Sequence, residues 1–264
     1  MLKVAIAGAR GKMGTEAVHT MMKKDNVQLV AALDYKEIGN TLSELPNFPT
    51  DYKIPIYTNI ITLIEEMKPD VLIDLTNPHS VYEHTKIALQ HNVRPVVGTT
   101  GFTDEQLSEL QELSKNSGTG CIIAPNFAIG AILMMKFAKE AAKYLPDVEI
   151  IEMHHDQKLD APSGTGIKTA QMIAETREQK IQGHSQEKET HVGARGADFE
   201  GMRIHSVRLP GLVAHQQVLF GGDGQLLTIR HDSFSRQSFM GGIAYCVDEV
   251  MNLKHLVYGL ENLI

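Results

Sequence analysis

The sequence has few of the features that mark membrane proteins, disulfide-rich secreted proteins or zinc-stapled domains. Its 264 residues include two cysteines, Cys121 and Cys246, each inside an apolar run. Because no CxxC pair is present, the cysteines do not favour a structural zinc site, and they suit buried thiols of a reducing cytoplasm. No apolar stretch approaches the ~20 residues of a membrane span, and the first apolar run is too short for a signal peptide. We therefore expect a cytoplasmic protein with no membrane partner.

An excess of basic residues is also missing, since 25 Lys and Arg residues stand against 32 Asp and Glu residues, giving a formal net charge of −7. This balance argues against a nucleic-acid partner, which needs a basic face. It leaves an anionic substrate open, because a local cluster of cations can outweigh the global sign. With 42% hydrophobic and 22% charged residues, the composition is that of a globular protein, and the length suits one large domain or two modest ones.

The first half of the chain alternates short apolar runs with helical patterns. Continuous Val, Ile and Ala runs are typical of strands that helices cover on both faces, so the fold class is predicted to be α/β, with a Rossmann-type, doubly wound parallel sheet. The predicted strands are Leu2–Ala7, Gln28–Leu33, Val71–Asp74, Arg94–Gly98 and Cys121–Ala124. The predicted helices lie near Lys12–Lys24, Ile60–Glu66, Val81–Gln90 and Asp104–Asn116, and Glu37–Ile54 is predicted to be a surface loop.

The pattern changes after Asn126. Helices are predicted near Phe127–Tyr144 and Gly166–Thr176, and strands at Val148–Met153, Arg203–Leu209, Val213–Gly221 and Leu226–His231. The turn at Gly221-Gly222-Asp223-Gly224 indicates an antiparallel hairpin, and the pattern is helical again from Gln237 to Ile264. We therefore predict a dinucleotide-binding domain from residues 1–126 and 237–264. Residues 127–236 are predicted to form an inserted α+β domain with a mixed sheet.

A glycine-rich loop, Gly8-Ala9-Arg10-Gly11-Lys12-Met13-Gly14, follows the first strand and opens the first helix. Its glycines allow a tight turn and let backbone N–H groups approach a pyrophosphate at the helix N-terminus. Asp34, about twenty residues beyond Gly14, ends the second strand, where a ribose hydroxyl is bound. A glycine turn that binds no nucleotide is the alternative, but the strand before the loop and the acid beyond it favour dinucleotide binding.

The residues around this loop do not decide between the two nicotinamide cofactors. Asp34 favours the free 2′-hydroxyl of NADH and repels the 2′-phosphate of NADPH. Three cations, Arg10, Lys12 and Lys36, could hold that phosphate, although a solvated surface charge is the commoner role of any one of them. We therefore expect either NADH or NADPH to serve.

Two further turns follow predicted strands and are candidates for contacts to the nicotinamide. Ligands of open parallel sheets bind outside the carboxyl ends of the strands. Ordinary strand-to-helix turns with Thr as a capping residue are the alternative. The candidate residues are Gly98, Thr99 and Thr100 in the first turn, and Ala124, Pro125, Asn126 and Phe127 in the second.

The chemistry-bearing residues are concentrated in the stretch Glu152–Gly166. His154, His155 and Lys158 leave a strand and enter a loop; histidine suits proton transfer at neutral pH, and lysine can donate a proton or hold an anion. The residues Ser163, Gly164 and Thr165 then offer hydroxyls and N–H groups at a helix start, which favours a carboxylate. Each residue alone has a simpler role, as an edge histidine, a solvated lysine or an N-cap serine. Although the chain has twelve histidines, no HExxH or similar ligand spacing occurs, so no metal is predicted.

Four segments together, VAIAGARGKMG, GTTGF, APNFAIG and EMHHDQKLDAPSGT, resemble the dihydrodipicolinate reductase family in order and spacing over essentially the whole chain. The resemblance implies NAD(P)H-dependent reduction of 4-hydroxy-tetrahydrodipicolinate to tetrahydrodipicolinate in lysine and diaminopimelate biosynthesis. It also implies that the inserted domain binds the dicarboxylate substrate and builds a homotetramer through its sheet.

The resemblance assigns roles to individual residues. It implies that His154 is the catalytic acid/base and Lys158 the proton donor, and that His155, Gly164 and Thr165 bind substrate. Where some members have an arginine after the acid of strand two, this chain has Tyr35 and then Lys36, so the cofactor preference stays open. Two other functions stay open: a Rossmann-fold NAD(P)-binding regulator without turnover, and an amino-acid semialdehyde dehydrogenase, which would need a catalytic cysteine.

Overall fold

The computed structural model describes residues 1–35 and 39–264, and the chain divides into two compact units. Unit 1 comprises Met1–Phe127 and Phe239–Ile264, and unit 2 comprises Ala128–Ser238. The predicted boundaries, after residues 126 and 236, fall one and two residues from these positions. Within the described part of the chain, no helix is long and apolar enough to cross a membrane.

Unit 1 is built on a seven-stranded sheet in the order β12-β6-β5-β4-β1-β2-β3, and each pairing of its strands is parallel. Val4–Ala7 of the interior strand β1 are fully buried, as expected for a strand that helices cover on both faces. The predicted Rossmann-type sheet is confirmed. The strands are β1 (Leu2–Ala7), β2 (Val27–Leu33), β3 (Ile56–Tyr57), β4 (Val71–Asp74), β5 (Arg94–Val97), β6 (Cys121–Ile123) and β12 (Leu256–Tyr258), and the helices are α1 (Lys12–Met22), α2 (Ile60–Met67), α3 (Val81–Gln90), α4 (Asp104–Ser117) and α7 (Met240–Glu249).

Local signals explain where these helices begin and end. In α4, Thr103 and Gln106 form a reciprocal capping box, and Gly118 in the left-handed conformation ends the helix. In α2, the Asn59 side chain accepts the Thr62 N–H at 3.0 Å. These caps satisfy backbone groups that the helix itself leaves unpaired.

Two predictions about unit 1 are corrected. The C-terminal segment is not helical throughout, because β12 pairs with β6; this strand is three residues long, too short to show a period in the sequence. The segment Glu37–Ile54 is not simply a surface loop. Its first two residues belong to residues 36–38, outside the described part, but a 3-10 helix at Leu42–Glu44 and the buried Leu42, Leu45 and Phe48 attach the segment to the core.

Unit 2 has the mixed sheet that was predicted. Its strand order is β11-β10-β7-β9-β8; β7 and β9 are parallel, and the other neighbours are antiparallel. A two-residue turn at Asp223-Gly224 joins β10 to β11, with Gly224 at φ +70°. The short edge strand β8 was missed because it lies in a polar, weakly patterned stretch. The elements are α5 (Ile129–Ala141), β7 (Asp147–His154), α6 (Gly164–Ala174), β8 (Ala197–Phe199), β9 (Met202–Arg208), β10 (Ala214–Gly222) and β11 (Gln225–Ser233).

Strand β7 positions the catalytic stretch. Its alternating side chains bury Val148, Ile150 and Glu152 on one face, while Glu149 and Ile151 lie half-buried on the other. Because side chains two residues apart share a face, His154 lies on the same side as Glu152. His154 and the buried carboxylate of Glu152 therefore lie next to each other at the end of β7.

Candidate active site

The glycine loop of unit 1 is packed as a dinucleotide fingerprint requires. Gly8 has φ +80°, and a Cβ there would lie 2.8 Å from the Leu75 carbonyl oxygen. A Cβ on Gly14 would lie 2.0 Å from the Gly8 carbonyl oxygen, so the first turn of α1 lies directly against the loop. Because the N-cap residue of α1 is Gly11, no capping side chain competes with an anion for the N–H groups of that turn.

Arg10 and Asp34 form an ion pair at the edge of this loop. Arg10 Nε donates to Asp34 Oδ2 at 2.7 Å, and its Nη2 donates to Oδ1. The hydrogen bond to Asp34 raises the pKa of Arg10, against a smaller opposing effect of burial. Arg10, a predicted phosphate-binding cation, and Asp34, the predicted ribose-binding acid, therefore form one ion pair. Lys12 is exposed at the start of α1, and Lys36 lies outside the described residues.

The two candidate nicotinamide turns lie at the carboxyl ends of neighbouring strands. The Gly98 N–H donates to the Asp74 carbonyl at 2.9 Å, and the Ala124 N–H donates to the Val97 carbonyl at 2.8 Å. A Cβ on Gly98 would lie 2.7 Å from the Phe127 ring, which is itself 3% exposed, so these residues pack against each other. Among the other candidates, Ala124 is buried, Thr99 and Asn126 are half-buried, and Thr100 and Pro125 are exposed.

A chain of hydrogen-bonded polar side chains, which the sequence does not predict, lies at the same end of the sheet. Asp74, fully buried at the end of β4, binds His84 Nδ1 at 2.7 Å, and His84 Nε2 lies 2.5 Å from the Tyr35 hydroxyl. The Thr76 N–H donates to the same carboxylate at 2.9 Å. The signal was an aspartate closing the apolar strand Val71–Asp74 at the edge where parallel sheets bind ligands. The glycine loop, the Arg10–Asp34 pair and this polar chain together fit a bound dinucleotide.

In unit 2, the buried Glu152 carboxylate holds His154. His154 Nδ1 lies 2.5 Å from Glu152 Oε2, and the Ser163 N–H donates to Oε1 at 3.1 Å. Arg208, from β9, donates through both terminal nitrogens to the two carboxylate oxygens, at 2.8 and 2.9 Å. Burial opposes ionisation of Glu152, but the hydrogen bonds from His154, Arg208, Ser206 and Ser163 outweigh it and lower its pKa to about 2. The carboxylate is therefore ionised at neutral pH.

The loop between β7 and α6 carries the remaining candidates. Lys158 Nζ donates to Asp160 Oδ1 at 2.6 Å, and this hydrogen bond lowers the pKa of Asp160. Ser163 is the N-cap of α6, since its hydroxyl oxygen accepts the Gly166 N–H at 3.1 Å. His155 and Gly164 are exposed, and Thr165 is half-buried at the first turn of α6. The structure thus brings His154 and Ser163 to one carboxylate, and places Lys158 in the loop that joins them.

This arrangement supports proton transfer beside an anion site. A histidine on an ionised carboxylate can exchange a proton, a lysine lies nearby, and a helix N-terminus favours a bound carboxylate. No cluster of three His, Cys, Asp or Glu side chains suited to a metal ion occurs in residues 1–35 and 39–264. Cys121 is fully buried, and burial raises the pKa of its thiol well above the usual range, which disfavours a catalytic cysteine there.

Comparison with known families decides the assignment. The family model described as "Dihydrodipicolinate reductase, N-terminus" matches residues 2–127, and "Dihydrodipicolinate reductase, C-terminus" matches residues 130–264. The chain belongs to the dihydrodipicolinate reductase family. Members of the dihydrodipicolinate reductase family are NAD(P)H-dependent oxidoreductases of lysine and diaminopimelate biosynthesis, so this chain is an oxidoreductase that uses NADH or NADPH.

Individual relatives in the dihydrodipicolinate reductase family match over the whole length. The 4-hydroxy-tetrahydrodipicolinate reductase of Lysinibacillus sphaericus is 74% identical over 263 residues, covering 100% of this chain and 99% of the relative. That of Oceanobacillus iheyensis is 63% identical, with 100% and 99% covered. A solved structure described as dipicolinate-bound dihydrodipicolinate reductase from Paenisporosarcina sp. TG-14 is 65% identical, with a TM-score of 0.92 and 100% of both chains covered.

Proposed function

We propose that this chain reduces 4-hydroxy-tetrahydrodipicolinate to tetrahydrodipicolinate in the cytoplasm, with NADH or NADPH as the hydride donor and with loss of water. The observation that carries the proposal is the cluster at the end of β7, where His154 lies on the ionised Glu152 and the N-cap of α6 reaches the same carboxylate. The cluster combines a group that can transfer a proton with a helix N-terminus that can bind a carboxylate. A solved relative of 65% identity is described as binding dipicolinate, an aromatic dicarboxylate of the same size class.

Unit 1 would hold the cofactor, which supplies the hydride. The loop at Gly8, Ala9, Arg10, Gly11, Lys12 and Met13 would bind the pyrophosphate through backbone N–H groups at the start of α1. Asp34 would accept hydrogen bonds from the adenosine ribose. The turns at Gly98, Thr99 and Thr100 and at Ala124, Pro125, Asn126 and Phe127 would contact the nicotinamide half.

Unit 2 would hold the substrate. The N–H groups of Gly164 and Thr165 lie in the first turn of α6 and would bind a substrate carboxylate; the buried Ser163 orients this turn. His155, exposed in the loop, would contact the second carboxylate. His154 would act as the acid/base and Lys158 as a proton donor, since both carry exchangeable protons at the strand end.

The test is cofactor oxidation with the chemically unstable substrate generated in place. The condensation product of pyruvate and aspartate semialdehyde is mixed with the chain and with NADH or NADPH, and the loss of nicotinamide absorbance is followed. We expect oxidation that depends on all three components. Reduction of NAD+ or NADP+ by aspartate semialdehyde alone would instead favour a semialdehyde dehydrogenase, and binding of NAD(P)H with no turnover would favour a regulator.

We also propose a homotetramer assembled through the sheet of unit 2. Strand β11 forms one edge of that sheet, and the apolar residues Leu226, Leu227 and Phe234 are 69%, 39% and 79% exposed in the single chain. Exposed apolar edge strands are normally covered by a partner. Light scattering at micromolar concentration should give four times the mass of one chain, and Leu226→Lys should reduce it. A monomeric wild-type chain would contradict the assembly.

A further inference from the structure

Glu152 is an ionised carboxylate at a fully buried position, 0% exposed. Removing a carboxylate from water costs several kcal/mol unless donors surround it. Here the donors come from three parts of the chain: His154 at 2.5 Å, the Ser163 N–H at 3.1 Å and the Arg208 guanidinium at 2.8 and 2.9 Å. An apolar side chain could fill this buried position without any desolvation cost. Packing alone therefore does not explain why the charged Glu152 lies there, two residues before the proposed acid/base His154.

The carboxylate determines which nitrogen of His154 carries the proton. An ionised carboxylate can only accept hydrogen bonds, so the 2.5 Å contact places a proton on Nδ1. The other nitrogen, Nε2, is then the one that takes up and releases a proton. In the opposite tautomer, the lone pairs of Nδ1 and Glu152 would face each other in a buried place. The contact therefore selects one tautomer and one ring orientation.

Arg208 acts on the same ring through Glu152, with the opposite electrostatic sign. Its two terminal nitrogens bind both carboxylate oxygens, and Nη2 also donates to the Asp160 carbonyl at 2.7 Å. A bidentate guanidinium withdraws charge from the carboxylate. Glu152 and Arg208 therefore act with opposite signs on any charge that the His154 ring carries. The bond to Asp160 ties the same pair to the loop that carries Lys158.

Building on the proposed function, we infer that Glu152 and Arg208 are a positioning pair that fixes His154 in its Nδ1–H form and sets, from opposite sides, how readily its Nε2 takes up a proton. Because the Glu152 side chain is fully buried, the pair would act through His154. On the face of the sheet that carries His154, and in the loop and helix beside it, the charged or titratable groups are Glu152 on β7, Arg208 on β9, His155, Asp156, Lys158 and Asp160 in the following loop, and Lys168 in α6. On that face β10 has the uncharged Ala214 and Gln216, and its His215, aligned with Met153, lies on the opposite face.

The first test reads His154 directly by nitrogen-15 NMR of the full chain labelled at histidine. The His154 signals are assigned by their loss in His154→Ala. In the wild type we expect the Nδ1–H tautomer over the range where the ring is neutral. Glu152→Gln should shift the His154 titration midpoint to lower pH by about one unit, and Arg208→Gln should shift it to higher pH by a similar amount, the size expected for a charge within about 6 Å.

A matched control lies on the opposite face of the same strand. Glu149 also binds an arginine and a histidine, Arg195 at 2.6 Å and His205 at 2.8 Å, but its side chain lies on the other face of β7 from His154. Glu149→Gln should leave the His154 midpoint within about 0.2 pH unit of the wild type, since it removes the same charge from the other side of the sheet. A His154 shift in this variant as large as that in Glu152→Gln would overturn the specific role of Glu152.

The second test follows the kcat–pH profile of the reductase. The limb of the profile that is absent in His154→Ala should move to lower pH in Glu152→Gln and to higher pH in Arg208→Gln, as in the NMR titration. Glu152→Asp should restore part of the wild-type profile. Loss of stability with unmoved profiles, shifts of the same sign, or an Nε2–H tautomer in the wild type would overturn the inference. Should the proposed substrate fail, the NMR titration still decides about the pair, because it needs no turnover. Should Glu152→Gln fail to fold, Arg208→Gln alone must still show its upward shift.

Discussion

Arg10 and Asp34 are joined at the end of the nucleotide-binding sheet, with Arg10 Nε donating to Asp34 Oδ2 at 2.7 Å. The two side chains are 22% and 16% exposed, so the pair is partly shielded from solvent. A bound 2′-hydroxyl can share the carboxylate with Arg10. A bound 2′-phosphate instead competes with Asp34 for the guanidinium. The pair thus links the choice between the cofactors to a single contact.

The first prediction concerns this pair. Asp34→Ala should weaken NADH binding by roughly 1–2 kcal/mol, the scale of hydrogen bonds to a charged group, and should strengthen NADPH binding because Arg10 is released. Arg10→Ala should weaken NADPH more than NADH. Fluorescence titration gives both dissociation constants for each variant. Lys24→Ala is the matched control, since it breaks a comparable pair with Asp248, at 2.8 Å, elsewhere in unit 1. An equal loss of affinity for NADH and NADPH in Asp34→Ala would show that Asp34 does not distinguish the 2′-hydroxyl from the 2′-phosphate of the ribose.

The second prediction concerns the close approach at Gly14. Alanine has a better helix propensity than glycine by about 1 kcal/mol, but the added Cβ would lie 2.0 Å from the Gly8 carbonyl oxygen, a backbone atom that cannot rotate away as a side chain could. Gly14→Ala should therefore lower the free energy of unfolding by about 3 kcal/mol, the upper end of overpacking, and weaken NADH binding. Gly164→Ala, which has no atom within 4 Å of the added Cβ, should keep its Tm. A Gly14→Ala variant as stable as the wild type would show that the loop can shift.

The sequence predicts the regular parts of the molecule because they follow from strong local patterns. Strands such as β1 and β4 consist mainly of apolar runs, and α3 and α4 carry a helical period. The ends of α4 are also marked, by the capping box at Thr103 and by Gly118. The short strands β3, β8 and β12 have two or three residues, which is too few for a period to show. Their existence depends on pairing with distant strands, which no local pattern records.

The sequence likewise predicts some residues of the candidate site and not others. His154 and Ser163 stand in a recognisable stretch, so the sequence indicates them directly. Arg208 comes from a strand 56 residues beyond Glu152, and only the folded sheet brings the two together. His84 lies in the helix that follows the strand of Asp74, and only the packing of that helix on the strand brings their side chains into contact. A single arginine at a strand end gives no sign of its partner, since most arginines lie in solvent.

The third prediction concerns acid stability. Hydrogen bonds to Glu152 outweigh its burial and hold its pKa at about 2 in the folded chain, below its ordinary value of 4.5. A depressed carboxyl pKa stabilises the fold fully above about pH 4.5, and the contribution is lost as the pH falls toward 2. Glu152→Gln should therefore cost roughly 3 kcal/mol at pH 7, as expected when one partner of a buried pair is removed, and less at lower pH. Urea unfolding between pH 7 and pH 3 measures the difference, and a difference independent of pH would contradict the assignment.

The last prediction concerns His154 and Lys158, which the proposed reaction uses for proton transfer. A group that acts mainly in the transition state lowers kcat with little change in KM, whereas a ground-state contact raises KM. His154→Ala and Lys158→Ala should each lower kcat by roughly 100-fold or more, the usual size of a general acid–base contribution, and the lysine variant should also raise KM because its charge attracts the dianion. His155→Ala should act chiefly on KM.

Lys180→Ala is the control. Lys180 is bound to Asp147 at 2.6 Å, as Lys158 is to Asp160, but it lies near the opposite end of β7, so this variant should keep the wild-type kcat. NADH affinity, measured separately by fluorescence, should be unchanged in all four variants. A near-normal kcat in His154→Ala would mean that the two histidines only bind substrate, and that the proton comes from another group.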